Sequence, residues 1–525
     1  MNEAYDVLVV GGGAAGLSGA LVLARARRSV LVVDAGEPRN APAGHMHGYL
    51  GREGISPADL RAGGREEIAR YGAEVVTGRV RSAERRDGGF LVTLDDGRGV
   101  RARRLLVTTG LVDELPDVPG VAERWGRDVL HCPYCHGWEV GDRRIGVLAT
   151  GPAAVEQANM WRQWSTDVTL LSHRTPAPGD EDAERLAARG VLVVDGPVAA
   201  LEVHDDRLTG VRLESGEVVP LDALVVAPRF TARAGVLESL GLEPAEVERH
   251  GHVIGTQVPA DATGATPVPG VWVAGNVADV TANVIISAAQ GAGAAAAVNA
   301  DLIAEDTRDA VGAYRERVRA VLAEDAWDER YRNSSALWSG QPNPQLVAEA
   351  AALTPGRALD AGCGEGADAV WLAGRGWQVT ALDFSAAALD RAAGHAEAAG
   401  VADRIAWTHA DLREHTPAER AYDLVSAQYV HAPPATRRDL FARLAAAVAP
   451  GGTLLIVGHH PLDLRTGVRP MGFPDLMYDA AEPASALDPG EWEVLVAETR
   501  PRAAVNSEGR DVTVYDAVLA ARRRA

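Results

Sequence analysis

Short apolar runs, glycine loops and helical stretches alternate along the chain, and the alternation starts afresh three times. Residues 5–10 (YDVLVV) are a continuous apolar run; a glycine cluster follows, then an Ala/Leu-rich stretch to about Arg28, then a second run from Val30 to Val33 that ends at Asp34. This order predicts a βαβ unit. Residues 72–109 alternate strand-like runs (AEVVTGRV, GFLVTLDDG, RRLLVTT) with turn residues, predicting a β-meander ahead of a strand that ends at Thr109-Gly110. Residues 142–172 repeat the βαβ pattern, with the runs RIGVLAT and VTLLS around a helix from Ala153, and residues 190–228 are again strand-like. The run GVWVAGN (270–276) leads into an alanine-rich helix over 284–304, and the charged helical stretch 305–332 reads as a linker. A third series opens at Arg357 with RALDAGCGEGADAVWLA and VTALDFS and continues to the end with strands at 405–408, 422–427 and 452–457. Three strand–glycine loop–helix openings that are not copies of one another predict three α/β nucleotide-fold domains, not a solenoid.

A length of 525 residues agrees with about three domains of ordinary size. Hydrophobic residues at 47% supply ample cores, and 24% charged residues is a normal globular value. The net charge of -20 argues against nucleic acid and anionic membranes as partners. All 52 basic residues are arginine; without lysine, a P-loop and Schiff-base catalysis are excluded. The first residues lack the basic and apolar segments of a signal peptide, and the run from Ile285 to Ile303 is broken by Gln290, Asn299, Asp301 and two glycines, too polar for a membrane span. A cytoplasmic, reducing location is therefore expected. Three cysteines make no disulfide framework there, so a close pair points to catalysis or metal.

Gly11-Gly12-Gly13-Ala14-Ala15-Gly16 fits G-x-G-x-x-G between a strand and a helix. Gly11 permits the turn, Gly13 lets backbone approach a pyrophosphate, and Gly16 lets helix and strand pack; Asp34 stands where a ribose-binding carboxylate is expected. A tight turn without a ligand is the plainer alternative. His131-Cys132-Pro133-Tyr134-Cys135-His136 holds two of the three cysteines at redox spacing, with His136 placed to act as acid or base for a thiol. The competing reading is half of a zinc site, but a second Cys-x-x-Cys is absent and the two histidines are too local to complete a tetrahedron; no metal is expected.

Residues 1–310 resemble the thioredoxin reductase family. The resemblance rests on GGGAAG, DAGEPRN (34–40), TTG (108–110), CPYCHGWE (132–139) and AGNVAD (274–279). It implies a flavin domain over 1–112 and 235–310 and an NAD(P)H-like domain over 113–234 that carries the Cys pair. It also implies FAD held by Gly11, Gly13, Ala14, Ala15, Gly16, Asp34, Ala35, Asn40, Gly110, Gly275 and Asn276. By the same analogy Cys135 faces the flavin and Cys132 exchanges with substrate. The chain departs from the family at the second glycine loop, Ala149-Thr150-Gly151-Pro152-Ala153-Ala154, which has lost its first glycine. The stretch for a 2′-phosphate reads Ser172-His173-Arg174, the residue after the second Cys is His136, and the late acidic residue is Asn276. The Cys-Pro-Tyr-Cys-His-Gly-Trp-Glu form looks like the branch that oxidises dithiol natural products of the gliotoxin and holomycin type. That implies transfer of electrons through flavin to oxygen, with NADPH used weakly or not at all.

The third loop, Asp360-Ala361-Gly362-Cys363-Gly364-Glu365-Gly366, would wrap a small cofactor without a pyrophosphate. Asp383 is placed for a ribose diol and Asp411 for an adenine amino group. These segments, with AYDLVSAQYVH (421–431) and VAPGGTLLIVG (448–458), resemble class I S-adenosylmethionine methyltransferases; another dinucleotide site is the alternative. The resemblance implies a methyltransferase domain over 346–525. It implies a cofactor held by Asp360, Gly362, Gly364, Gly366, Asp383, Phe384, Asp411, Leu412 and Gln428. The segment WDERYRNSSALWSGQPN (327–343), within a helical linker or lid over 311–345, looks like the lid of thiopurine and tellurite methyltransferases, which act on soft nucleophiles. Cys363 is expected to be a packed residue. His431, His459 and His460 are candidates for substrate contact.

Dithiol closure and thiol methylation act on one functional group, so the expectation is a bifunctional enzyme for a small dithiol, with a homodimer through the flavin region. The alternatives are an NADPH-driven disulfide reductase feeding a thiol or metalloid methyltransferase, and a non-enzymatic redox sensor.

Overall fold

The computed structural model describes residues 4–249, 251–465, 473–505 and 509–525. The chain divides into two compact units, Met1–Thr307 and Arg308–Ala525.

In the first unit the strands Glu74–Thr77, Val30–Asp34, Ala4–Val10 and Gly99–Val107 lie side by side and parallel, with Val271–Val273 parallel to Gly99–Val107. Their apolar runs are continuous because both faces are covered: Val7, Leu8, Val9, Leu31 and Val32 are fully buried. The helix Ala14–Arg25 turns Leu17, Ala20 and Leu23 onto this sheet. Each such buried Leu or Val contributes roughly 1.5–3 kcal/mol. Val80–Arg86 and Gly89–Leu94 extend the sheet antiparallel. The meander expected over 72–109 therefore starts only at Val80; the run at 74–77 pairs instead with Val30–Asp34, a long-range choice that local alternation does not reveal.

A second, fully parallel sheet holds Leu192–Val194, Val168–Leu171, Ile145–Leu148, Ala223–Val225 and Val129–Leu130. Leu111–Glu114 and Arg229–Ala232, where the chain leaves the first sheet and returns, pair antiparallel. The alanine-rich helix runs on from Val284 to Val321 without a break, and Glu324–Asn333 follows it. The stretch expected as a polar linker is helical because Ala, Arg and Glu are strong helix formers.

The second unit is a seven-stranded sheet. Its order is Ile405–His409, Gln378–Asp383, Arg357–Ala361, Tyr422–Gln428, Val448–His459, Asp511–Arg523, Trp492–Val505. The first five strands are parallel and the last two antiparallel. These last two are absent from the sequence expectation. Trp492–Val505 is an edge strand, largely exposed, which mixes charges and Pro501 into its apolar positions and so lacks an apolar run. Among the described residues no helix is long and apolar enough to cross a membrane.

Candidate active sites

Gly11 has φ +106, and a Cβ there would lie 2.5 Å from the Thr108 carbonyl oxygen; a Cβ on Gly16 would overlap the Gly11 carbonyl oxygen. Only glycines can close this strand–helix corner. A Cβ on Gly13 would meet nothing within 4 Å. Here the helix N-terminus opens on a cavity of ≈ 1840 Å³. Gly11, Gly13, Ala14, Ala15, Asp34, Ala35, Asn40, Gly110, Gly275 and Asn276 all line it, while Gly16 stands behind the corner. The room exceeds the roughly 300–1,000 Å³ of ordinary ligand pockets, and the open helix N-terminus suits a pyrophosphate. The residues present thus fit a dinucleotide such as FAD. Asp34 braces the loop: its Oδ1 accepts the Gly12 N–H (3.2 Å) and its Oδ2 pairs with Arg65.

Asn276 is engaged from both ends of its amide. Its Nδ2 donates to the Asp279 and Ala282 carbonyls (3.1 and 2.8 Å), and its Oδ1 accepts from Arg39 (3.2 Å). Arg39 also grips Asp113 through two bonds of 2.8 and 2.6 Å and lies over the Phe230 ring. This fixes one guanidinium close to the Cys pair, where its charge favours both thiolates.

Cys132 and Cys135 line the same cavity as the glycine loop. Both are free thiols. Cys132 caps the short helix Pro133–His136. The Cys135 thiol donates to it and the Tyr134 and Cys135 amides face it, so that against the cost of burial its pKa falls to about 7. Cys135, the donor of that bond, is held well above the ordinary thiol range. His136 also lines the cavity; burial pushes its pKa below the usual value, and its Nδ1 is buried with no hydrogen-bond partner among the described residues. His47 bridges Glu53 (2.7 Å) and Glu139 (3.2 Å) nearby.

His131 is half-buried, edge-on to Phe230, with Nδ1 3.1 Å from the Val226 carbonyl, and desolvation lowers its pKa. The sequence reading gives no role to Arg39, Asp113, His131 or His47. The signals were present: Arg39 lies inside the quoted 34–40 stretch, Asp113 closely follows Gly110, and His131 directly precedes Cys132. Among the described residues no three His, Cys, Asp or Glu side chains could together hold a metal.

The second glycine loop lines the same cavity through Thr150, Gly151, Pro152, Ala153 and Ala154, but it lacks the first glycine. Ala149, in place of the first glycine, is buried. Ser172 donates to the Asp195 carboxylate (2.7 Å), His173 Nδ1 accepts the Val198 N–H (2.9 Å), and Arg174 pairs with Glu214 (3.2 Å). The groups that would receive a 2′-phosphate are bonded within the protein, beside a carboxylate that would repel one.

In the second unit Gly362, Gly364 and Gly366 all have positive φ. A Cβ on Gly364 would stand 3.1 Å from the Tyr331 hydroxyl and 3.5 Å from Trp338 Nε1, so these lid residues cover the loop. Glu365 accepts the Leu337 and Trp338 N–H groups (3.2 and 3.0 Å) and pairs with Arg391. Asp328 accepts from Ser385 Oγ (2.5 Å). Asp383 accepts the Gly364 and Ser385 N–H groups (2.8 and 2.9 Å), while burial raises its pKa.

Leu412 is buried near Gly362, and Arg413 stacks over Phe384. Burial disfavours the Asp411 carboxylate, but Arg413 outweighs it and holds the pKa below the usual range. Asp360 is fully buried, its pKa raised by burial, and its Oδ2 and Gln428 Oε1 have no hydrogen-bond partner among the described residues. Two buried acceptors beside a positive-φ loop fit a cofactor that brings hydrogen-bond donors, as S-adenosylmethionine would. The sequence pattern gives no individual role to Tyr331, Trp338, Asp328 or Glu365, although Glu365 stands within the third glycine loop. Cys363 is buried and its thiol is pushed up.

Residues 5–296 match the family model for pyridine nucleotide-disulphide oxidoreductases, and residues 358–452 match a methyltransferase-domain model. Thioredoxin reductase tcpT of Claviceps purpurea is 33% identical over 257 residues, 46% of this chain and 79% of the relative. Thioredoxin reductase sirT of Leptosphaeria maculans is 31% identical over 319 residues, 58% of this chain and 95% of the relative. Among solved structures, HlmI is 47% identical with a TM-score of 0.56, covering 61% of this chain and 98% of that one. An oxidoreductase from Agrobacterium tumefaciens is 36% identical with a TM-score of 0.54, covering 57% and 99%. The chain belongs to the pyridine nucleotide-disulphide oxidoreductase family, as a thioredoxin reductase-like disulfide oxidoreductase fused to a methyltransferase domain.

Proposed function

We propose that the first unit oxidises a small-molecule dithiol to its disulfide with dioxygen as acceptor, and that the second S-methylates thiols. The net reactions are dithiol plus O₂ to disulfide plus H₂O₂, and thiol plus the S-adenosylmethionine sulfonium to thioether plus S-adenosylhomocysteine plus a proton. One observation carries the first: the Cys pair opens on the same cavity as the intact glycine loop, while Ser172, His173 and Arg174 are bonded within the protein. On this reading residues 1–112 and 235–310 hold FAD, 113–234 carry the Cys pair, 311–345 form linker and lid, and 346–525 hold S-adenosylmethionine. A cytoplasmic homodimer is the assembly this reading favours.

When bound, FAD supplies a two-electron acceptor beside the pair, and S-adenosylmethionine an electrophilic methyl group. The residues do the rest. A substrate thiolate attacks Cys132 of the oxidised pair, Cys135 leaves, and the second substrate thiol then expels Cys132. A thiol with pKa about 7 is a good leaving group in that step. His136, neutral at pH 7, is placed to take a substrate proton. Methyl transfer needs mainly alignment, because a thiolate is already a strong nucleophile.

The similarity to tcpT and sirT, both thioredoxin reductases, favours a second reading in which NADPH drives disulfide reduction. An anaerobic visible spectrum separates the two. Bleaching of the flavin band by dithiothreitol but not by NADPH supports the oxidase; rapid bleaching by NADPH sinks it in favour of the reductase.

A further inference from the structure

We propose that His431 and His459 are the proton-accepting groups of the methyl-acceptor site, taking the S–H proton of a weakly acidic thiol. This deepens the S-methylation reading and rests on it. The neighbouring parallel strands Tyr422–Gln428 and Val448–His459 end at the same edge of the sheet as the third glycine loop. Directly after Gln428 the backbone of Tyr429 takes φ +54, a left-handed conformation that a bulky residue rarely adopts and that is often found where function demands it. The turn brings Val430 against the cofactor loop, since a Cβ on Gly362 would lie 2.9 Å from Val430 Cγ2. His431 comes next. Its ring centre is 5.2 Å from that of His459, which stacks on Tyr429 at 4.3 Å. Two half-buried imidazoles thus stand beside the segment that touches the cofactor loop.

The strained turn is held from outside. The Tyr429 hydroxyl donates to buried Asp516 (2.9 Å), which also accepts from Arg502 (3.0 Å) and Gln345 (3.3 Å), and Asp516 is the cross-strand neighbour of His459. Among the described residues the phenols beside the imidazoles are poor proton acceptors at neutral pH. Burial pushes Tyr429 up to about 12 and raises Tyr478 as well, and Arg502 carries a fixed positive charge. On the loop side Cys363 and Tyr331 are pushed up by burial, and Asp411 is paired with Arg413. Imidazole is the side chain whose ordinary pKa lies near neutrality. In the step proposed, the S–H proton passes to an imidazole nitrogen as the S–CH₃ bond forms. The bond from the methyl to the donor sulfonium breaks, its electron pair stays on that sulfur, and the imidazolium then releases the proton to water.

The test uses the full chain kept anaerobic, with 2-mercaptoethanol as an alkyl thiol and thiophenol as a more acidic one. The double variant His431→Gln/His459→Gln should lose roughly 10²-fold in kcat/KM with 2-mercaptoethanol but under about threefold with thiophenol, because a base helps only a thiol that must still be ionised. The acidic limb of its pH–rate profile should move upward. Without methyl donor, thiophenol bound to the unaltered chain should show thiolate ultraviolet absorption below its solution pKa, and the double variant should not. Tyr429→Phe, which keeps the stacked ring, should retain the difference between the two thiols. Equal losses with both thiols, an unmoved pH limb or an unchanged thiolate absorption overturn the role of the histidines. If the unaltered chain methylates neither thiol, the S-methylation reading fails instead, and the absorption of bound thiophenol still decides whether the imidazoles take its proton.

Discussion

The first unit contains two loops of similar placement, residues 11–16 and 149–154, and they differ in their glycines. Each follows a strand flanked on both sides by parallel strands and leads into a helix. At the first, glycine is required by contact: no Cβ can be added to Gly11 or Gly16 without meeting backbone. At the second, Ala149 is buried where a glycine would stand, while Gly151, like Gly13, has nothing within 4 Å of a Cβ and lines the cavity. The βαβ frame survives in both because Ile145, Val147 and Leu170 are as buried as Val7, Leu8 and Leu31. Cofactor binding is more fragile than the frame, since it depends on a few positions of close backbone approach.

The sharpest break of that contrast is chemical. Cys135→Ser should abolish dithiol oxidation, by roughly 10⁴-fold or more for loss of a residue that acts as part of a unit, while bound flavin stays at one per chain. Rate and flavin absorbance measured on one preparation check it; retained turnover would separate the Cys pair from the cavity it lines.

Next in size is Gly16→Ala. The overlap with the Gly11 carbonyl should cost about 1–3 kcal/mol and lower flavin content, read by thermal unfolding and by the ratio of flavin to protein absorbance.

A smaller effect is set by pH. The pKa of Cys132, about 7, lies below the ordinary thiol range, so its thiolate fills as pH rises and is lost as pH falls through 7. Alkylation of the reduced, anaerobic protein should reach half its maximal rate near pH 7, and a midpoint near 9 would remove the account given for Cys132.

The smallest effect is expected at the other loop. Gly151→Ala should change stability by less than about 0.5 kcal/mol and leave flavin content and dithiol oxidation unchanged. A large loss there would mean that the second loop also cradles a ligand.

Much of this was legible beforehand for a physical reason. A glycine loop is a local device, read from a strand, three glycines and a helix within 20 residues, and a Cys-x-x-Cys is more local still. The thirteen expected residues that line the cavity came from such short motifs or from the family resemblance they carry. Arg39 and Asp113 did not, because their bidentate pair joins residues 74 apart in the chain. Tyr331 and Trp338 were legible only as members of a lid; that they cover Gly364 depends on side-chain directions that no periodicity encodes.

By itself, the sequence determined the three α/β openings, the redox spacing of Cys132 and Cys135, and the glycines that admit backbone to a cofactor. Each of these is a consequence of residues near one another in the chain. Only the tertiary structure decided that the run at 74–77 joins the parallel sheet, and that two closing strands complete the second sheet. It also decided that Ser172, His173 and Arg174 turn to partners up to 40 residues away, and that Tyr429, His459 and Asp516 meet at one strand end. Those outcomes depend on which surfaces are buried together and which charges find partners, and such long-range competition is settled only when the whole chain packs.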